Sequence, residues 1–516
     1  MNSIILSKKR KMLLLGIIAI IFCMIAVVYG NNKVYFYEDE VLSYTLANRQ
    51  NGGFMDNAPG LHYAGSDILG DLLVDSEHRF DYGNVSYNQS LDAHPVLYYD
   101  ILHTISSIGY GKFSKWYGIG INIVSILGIL IGLYFIASFV YKDSDVIPLA
   151  VVAGFGFSLA SMRMVCFVRM YGLLTLWGVL FLLIHVIKLE REELYKKKIL
   201  FYVCVTVVST LGILTHYYFL VFAFFVSAFY CIFLLTRKEI KNTIYYVISM
   251  ALSFGLAFMV YPHYLDTLLG YETSPLSSNS DFVFGSLSER VSKMVSFANT
   301  ELLNGKLKWV LMGVIVYAVY ALVRKKVSVK DVLKLPKSLW MIILVAFTYF
   351  GIITLITPYL CDRYVWPAFP LFMLLIIPVA VYAFEDIFKS KTFGLVVLVA
   401  IMILPLAVEI RSGLYDVNMN ARIEIAAENG DVPCAFLSGI AVEENVFELS
   451  KYSDIYTFQD YKSIDENLLA GNELVVYLPE GQDVEECFVT LSEAGGFNNY
   501  ERLYVASYST VYKFTK

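Results

Sequence analysis

Charge is what this chain has least of. Only 16% of its 516 residues are Asp, Glu, Lys or Arg and 57% are apolar, whereas a soluble globule carries about 25% charged and roughly 45–50% apolar residues. With a mean hydropathy of +0.60, the chain falls outside the soluble class. Cysteine is sparse as well, at seven residues. Cys23, Cys166, Cys204 and Cys231 sit inside apolar runs and read as small apolar side chains. Cys434 and Cys487 lie in a polar C-terminal stretch, where a disulfide between them is open but nothing requires it. No zinc-type Cys/His spacing occurs, and no nucleic-acid partner is expected. No internal repeat is evident, which weakens a transporter built from two similar halves.

What the chain has instead is a series of apolar runs of about 17–25 residues, each long enough to cross a hydrocarbon core of about 30 Å as a helix. The first, Met12 to Tyr29, follows Lys8-Lys9-Arg10-Lys11. It ends without a small-residue cleavage site, so an uncleaved first helix is expected rather than a signal peptide. By the positive-inside rule its N-terminus is cytoplasmic and residue 30 emerges outside. Basic clusters mark the other cytoplasmic turns: Arg191 to Lys198, Arg237-Lys238 to Lys241, Arg324-Lys325-Lys326 through Lys337, and Lys389 to Lys391. The spans between them fall at about 116–140, 147–165, 169–187, 199–215, 219–236, 243–261, 307–323, 338–356, 365–384 and 392–410.

The expectation is therefore an all-α polytopic membrane domain over residues 1–410, with about 11 transmembrane helices, an external loop at 30–93 and a second external loop at 262–306. Residues 94–110 read as an interfacial helix; were 95–110 to cross alone, Lys196-Lys197-Lys198 would fall outside. Residues 411–516 read as an extracellular soluble domain. This tail has a net charge of −11 against +6 for the rest of the chain. Strand-like runs near Cys434, Leu474 and Leu503, with a helix over Val484 to Ala494, predict a small α/β fold there.

Several groups able to carry chemistry gather at the outer ends of these spans. Tyr37-Glu38-Asp39-Glu40 places three carboxylates just past the first helix. A solvated loop would look the same, but a partly desolvated carboxylate beside like charges can serve as a general base. Alternation along the chain would send Asp39 and Glu40 to different sides, leaving one of them as the base. His94-Pro95-Val96-Leu97-Tyr98-Tyr99-Asp100 follows, either an aromatic anchor or the wall of a site. Arg163 and Arg169-Met170-Tyr171 need anionic partners near hydrocarbon: a protein carboxylate, or a phosphate matched to the guanidinium fork. Thr215-His216-Tyr217-Tyr218 and Asp362-Arg363-Tyr364 lie at equivalent depth.

In this order along about residues 1–385, the pattern resembles the C-type glycosyltransferase superfamily, in particular the group of protein O-mannosyltransferases and the aminoarabinose transferase of lipid A (glycosyltransferase family 39-like). Asp39-Glu40 resembles the acidic pair of the first external loop. His94-Pro95-Val96-Leu97-Tyr98-Tyr99 resembles the HPPLYY element, departing by Val96 for the second proline. Arg169-Met170-Tyr171 resembles the RxY element, and Arg363-Tyr364-Val365-Trp366-Pro367 the late RYxxP element. Relatives often carry an arginine after the Pro-Leu-Tyr-Tyr helix; here Lys112 or Lys115 stands in that neighbourhood, or the role is absent.

The resemblance implies an inverting transfer of a hexosyl or pentosyl group from a polyprenyl-phosphate donor, of the undecaprenyl type, to an external acceptor: a glycan, a polymer or a protein. It makes Asp39 the base, with Glu40 beside it, and gives the donor phosphate to Arg169, Arg363 and the lysine substitutes Lys112 and Lys115. His94, Tyr98, Tyr99, Tyr171, His216, Tyr217 and Tyr364 would shape the substrate site. No cofactor is required by it, and the assistance of a divalent metal stays open. The alternative from another class is a transporter or flippase of a lipid-linked or anionic envelope precursor. Such a protein predicts ionisable groups at mid-membrane rather than at outer ends.

Overall fold

The computed structural model describes residues 7–388, Leu406 and 419–516, apart from 57, 196, 271–285 and 326–333. Among the described residues, seven helices are long and apolar enough to cross a membrane, or nine if each of two bent helix pairs is one span. The seven are Lys8–Asn32, Lys115–Val140, Tyr171–Glu190, Tyr218–Thr236, Ile240–Val260, Lys337–Ile356 and Trp366–Asp386. The expected span at 199–215 is a helix of only 16 residues, Lys198–Ile213. The expected span at 392–410 lies outside the described residues except for Leu406, as do the turn at 389–391 and Lys196.

Both bends have local causes. Ile147–Gly156 and Leu159–Cys166 meet at 51°. Between them Ser158 adopts an extended backbone and its hydroxyl caps the second helix by accepting from the Ser161 amide. Leu287–Leu303 and the helix from Leu307 meet at 78°. There Asn304 and Gly305 take left-handed φ values of 50° and 76°, a conformation that ends a helix. The helix Leu97–Ile108 has 12 residues, hence a length of about 18 Å, too short for a core of about 30 Å.

The chain divides into two compact units. The first comprises Met1–Asn31, Asp92–Tyr98 and Gly118–Ser412, and the second Asn32–Leu91, Tyr99–Tyr117 and Gly413–Lys516. The second unit thus takes in residues 32–91 and 99–117 as well as the tail, where the sequence predicts a boundary at 410.

In the second unit a six-stranded sheet runs β1-β3-β2-β4-β6-β5, with β1 at His62–Tyr63, β2 at Cys434–Leu437, β3 at Ile455–Phe458, β4 at Glu473–Pro479, β5 at Asn499–Ala506 and β6 at Ser509–Thr515. β2 is parallel to β3 and β4; the remaining pairs are antiparallel. Every residue of β2 is buried, the pattern of a strand covered on both faces. Leu474, Val476 and Phe514 pack with Cys487 and Leu491 of the helix Val484–Gly495 on one face. Cys434 and Cys487 are separate, buried free thiols. β1 belongs to the first loop and pairs Tyr63 with Ile455, an association the sequence reading did not anticipate. Phe36 and Phe113 also pack against Phe447 at ring separations of 5.2 and 5.4 Å.

Candidate functional site

The acidic turn lies in the second unit. Glu38, Asp39 and Glu40 form the first turn of the helix Glu38–Asn48, where the helix dipole favours negative charge. Adjacent residues therefore diverge by a helical step rather than by strand alternation. Asp39 is half-buried. Glu40 is fully buried; its Oε2 accepts from the Lys33 ammonium at 2.9 Å and from the Tyr37 amide at 3.1 Å. Lys33 also donates to the Tyr35 carbonyl at 2.7 Å and lies over the Phe36 ring. Lys115 donates to the Lys33 carbonyl at 2.6 Å, while Lys112 is exposed. Tyr99 is fully buried in this unit.

In the first unit, histidines, arginines and aromatic rings converge. The Leu97 amide donates to the Leu214 carbonyl at 3.0 Å, tying the His94 turn to the end of the helix Lys198–Ile213. The His94 and His216 rings consequently stand 5.4 Å apart. Tyr171 lies 5.3 Å from His216, and Tyr364 lies 5.8 Å from Tyr171. The Arg363 guanidinium stacks over Phe167 and Tyr364 at 5.2 and 5.4 Å.

Arg169 is only 3% exposed, and its backbone is set by close packing. A Cβ at Gly118 would come within 2.0 Å of the Val168 side chain, so glycine is needed at that approach. Asn122 donates to the carbonyls of Val165 and Phe167 at 3.3 and 2.7 Å, fixing the turn that carries Arg169.

The electrostatics of the cluster follow from burial and neighbours. His94 Nδ1 meets the Asp92 carboxylate at 2.8 Å. Burial raises the pKa of Asp92, but His94 and the Arg169 guanidinium outweigh it and hold the carboxyl below its usual range. Burial, followed by the charges of His94 and Arg169, lowers the pKa of His216 far below that of free histidine. His216 is therefore neutral at pH 7. Its Nδ1 accepts from the Tyr218 amide at 3.0 Å, which leaves the proton on Nε2. That buried Nε2 has no acceptor among the described residues.

Two sequence-predicted residues sit away from the cluster's rings. Tyr217 bonds to the Thr267 hydroxyl and to the Tyr264 carbonyl. Arg163 is held by two protein carboxylates, Glu301 at 3.0 Å and Asp362 at 3.1 Å. Glu301 also accepts from the Trp366 indole at 3.0 Å. Tyr98 is fully buried at the start of its helix. Sequence reasoning passed over Asp92 and Glu301. Asp92 carried a signal, a carboxylate two residues before His94; Glu301 had none, since its partners are remote in the chain. Among the described residues, no group of three or more His, Cys, Asp or Glu side chains could hold a metal ion.

These features define a polytopic membrane protein with an α/β unit and a cationic, aromatic cluster. Its fold is that of the C-type glycosyltransferases. The ArnT protein of Cupriavidus metallidurans bound to undecaprenyl phosphate matches with a TM-score of 0.55 at 9% identity, over 96% of this chain and 97% of that one. Its apo state matches at 0.52 and 9% identity, over 92% and 96%. The apo oligosaccharyltransferase of Archaeoglobus fulgidus matches at 0.50 and 12% identity, over 98% of this chain and 74% of that one. No protein-family model matches the chain, and no curated protein sequence does.

Proposed function

We propose that this protein is a membrane glycosyltransferase that moves a hexosyl or pentosyl group from a polyprenyl-phosphate donor to an acceptor on the external face of the membrane. The observation that carries the reading is the cluster of buried Arg169 and His216 with half-buried Arg363 and His94 among aromatic rings. Arginine forks and a ring N–H that lacks an acceptor are suited to phosphate and sugar oxygens. The resemblance in fold to a protein crystallised with undecaprenyl phosphate supports the same class of donor.

In this mechanism Arg169 and Arg363 bind the donor phosphate and stabilise the charge that grows on it as the glycosidic C–O bond breaks. His216 Nε2–H donates to a donor oxygen, and His94, Tyr98, Tyr171 and Tyr364 shape the cluster around it. Asp39 accepts the proton of the acceptor hydroxyl while that oxygen bonds to the anomeric carbon, so the sugar inverts. Glu40 and Lys33 hold the turn that presents Asp39. Lys112 and Lys115 add positive charge in the second unit, and Tyr99 and Tyr217 act through packing. The N-terminus is cytoplasmic, and the acceptor (glycan, polymer or protein) and residues 411–516 are external.

The test uses purified full-length protein in detergent with radiolabelled undecaprenyl-phosphate sugars. Transfer is expected with wild type, a loss of about 100-fold or more with Asp39→Asn, and weakened donor use with Arg363→Ala. Transfer unchanged in Asp39→Asn would remove the base, and absence of transfer from every donor would remove the reading.

A further inference from the structure

Away from the cluster, the first unit carries a groove of about 460 Å³ between the helices Lys198–Ile213 and Ile240–Val260. The two helices run parallel, because Tyr202 meets Asn242, Thr206 meets Ser249 and Thr210 meets Ser253. Those hydroxyl contacts to backbone carbonyls, at 3.2 Å for Thr206 and 3.3 Å for Thr210, draw the helices together, as small polar residues do in membranes. The outer walls are formed by Ile199, Val203, Val207, Ile248 and Leu252, all exposed.

One end of the groove is cationic. Lys198 lines it, Lys241 adjoins Asn242 of its wall, and neither lysine enters an ion pair among the described residues. Two carboxylates act near this rim, and both are engaged: Glu239 by Arg237 at 3.0 Å and by the Asn242 amide at 2.7 Å, and Glu192 by Lys188. Neither helix has a side-chain cap at its N-terminus, so two positive dipole ends face the same way beside the lysines. From Lys198 to Val207 the groove runs nine residues, about 13 Å of helix, or roughly half of a hydrocarbon core of about 30 Å.

We propose that this groove is a binding site for an anionic phospholipid: the phosphodiester sits between Lys198 and Lys241, and one acyl chain lies along Val203, Val207 and Leu252. The charge complementarity selects an anionic head group over a zwitterionic one. The one-leaflet depth matches a phospholipid chain rather than a chain that traverses the bilayer. The site is independent of the proposed transferase chemistry and needs only the membrane embedding of these helices.

Native mass spectrometry of the full-length protein in detergent, titrated with dioleoyl phosphatidylglycerol or dioleoyl phosphatidylcholine, tests it. Phosphatidylglycerol should be retained preferentially by wild type. Each near-surface lysine contributes about 5-fold, so Lys198→Ala with Lys241→Ala should lower retention roughly 30-fold and abolish the head-group preference. Val207→Trp, which fills the groove, should lower retention of both lipids, while Lys8→Ala with Lys9→Ala should change neither. Each variant is first matched to wild type in size-exclusion profile and thermal unfolding. Equal retention of the two lipids by wild type, or unaltered phosphatidylglycerol retention in the Lys198/Lys241 or Val207 variants, overturns the proposal.

Discussion

The Lys33 ammonium reaches the Glu40 carboxylate at 2.9 Å across the turn that opens the helix Glu38–Asn48, and the two side chains are 2% and 0% exposed. Removing one partner of such a pair leaves the other charge buried and uncompensated, at a cost of about 3–5 kcal/mol. Lys33→Met and Glu40→Leu should each destabilise by that order, whereas the double variant should recover much of the loss, since an apolar pair of similar volume replaces the ions. Thermal unfolding in detergent checks this. Single variants as stable as wild type would show that the pair does not hold the turn.

The Asp92–His94 contact predicts an acid limit to the stability of the first unit. The carboxyl of Asp92 is held below its ordinary pKa in the folded chain, where His94 and Arg169 prevail over the opposing effect of burial. A depressed folded pKa contributes stability that is fully present above the unfolded value, about 3.9. That contribution is lost as pH falls through the folded value. Asp92→Asn should therefore flatten the decline of unfolding temperature below about pH 4, and His94→Ala should move the decline to higher pH. An unchanged pH profile in both variants would show that the carboxyl is not shifted by this contact.

The apolar spans were legible because length and composition alone dictate them, and Arg163 was legible as a residue that needed an anion. Which anion it found was not, because Glu301 lies 138 residues away in the chain. The acidic turn was misread for a local reason. Three acids ahead of Val41 and Leu42 form a helix N-terminal signal, yet the segment was read with the two-residue alternation of an extended strand. His216 and Tyr171 could be placed at one depth by topology, but the tautomer of His216 depends on an amide contact that no pattern announces. The least legible feature was β1. Two residues carry no strand signal of their own, and their partner lies 392 residues further on.

Thr457 is where that remote pairing can be tested. Its hydroxyl accepts from the Leu61 amide at 2.8 Å and donates to the Ala58 carbonyl at 2.6 Å. Its own amide donates to the Leu61 carbonyl at 3.0 Å, and its carbonyl accepts from Gly60 at 2.8 Å. The side chain is 2% exposed, so water cannot replace a lost partner without opening the edge. Thr457→Val keeps the volume and the β-branched shape but leaves the Leu61 N–H and the Ala58 carbonyl without the hydroxyl. An unsatisfied buried group costs about 1–3 kcal/mol. Hydrogen exchange should accordingly speed up at Leu61, while the β2–β4 ladder, which Thr457 reaches only through backbone pairing, should keep its protection. Thr457→Ser retains the hydroxyl and should exchange nearly as wild type does. If valine left the exchange of Leu61 unchanged, the backbone bonds of β1 and β3 would suffice to hold the first loop on the sheet.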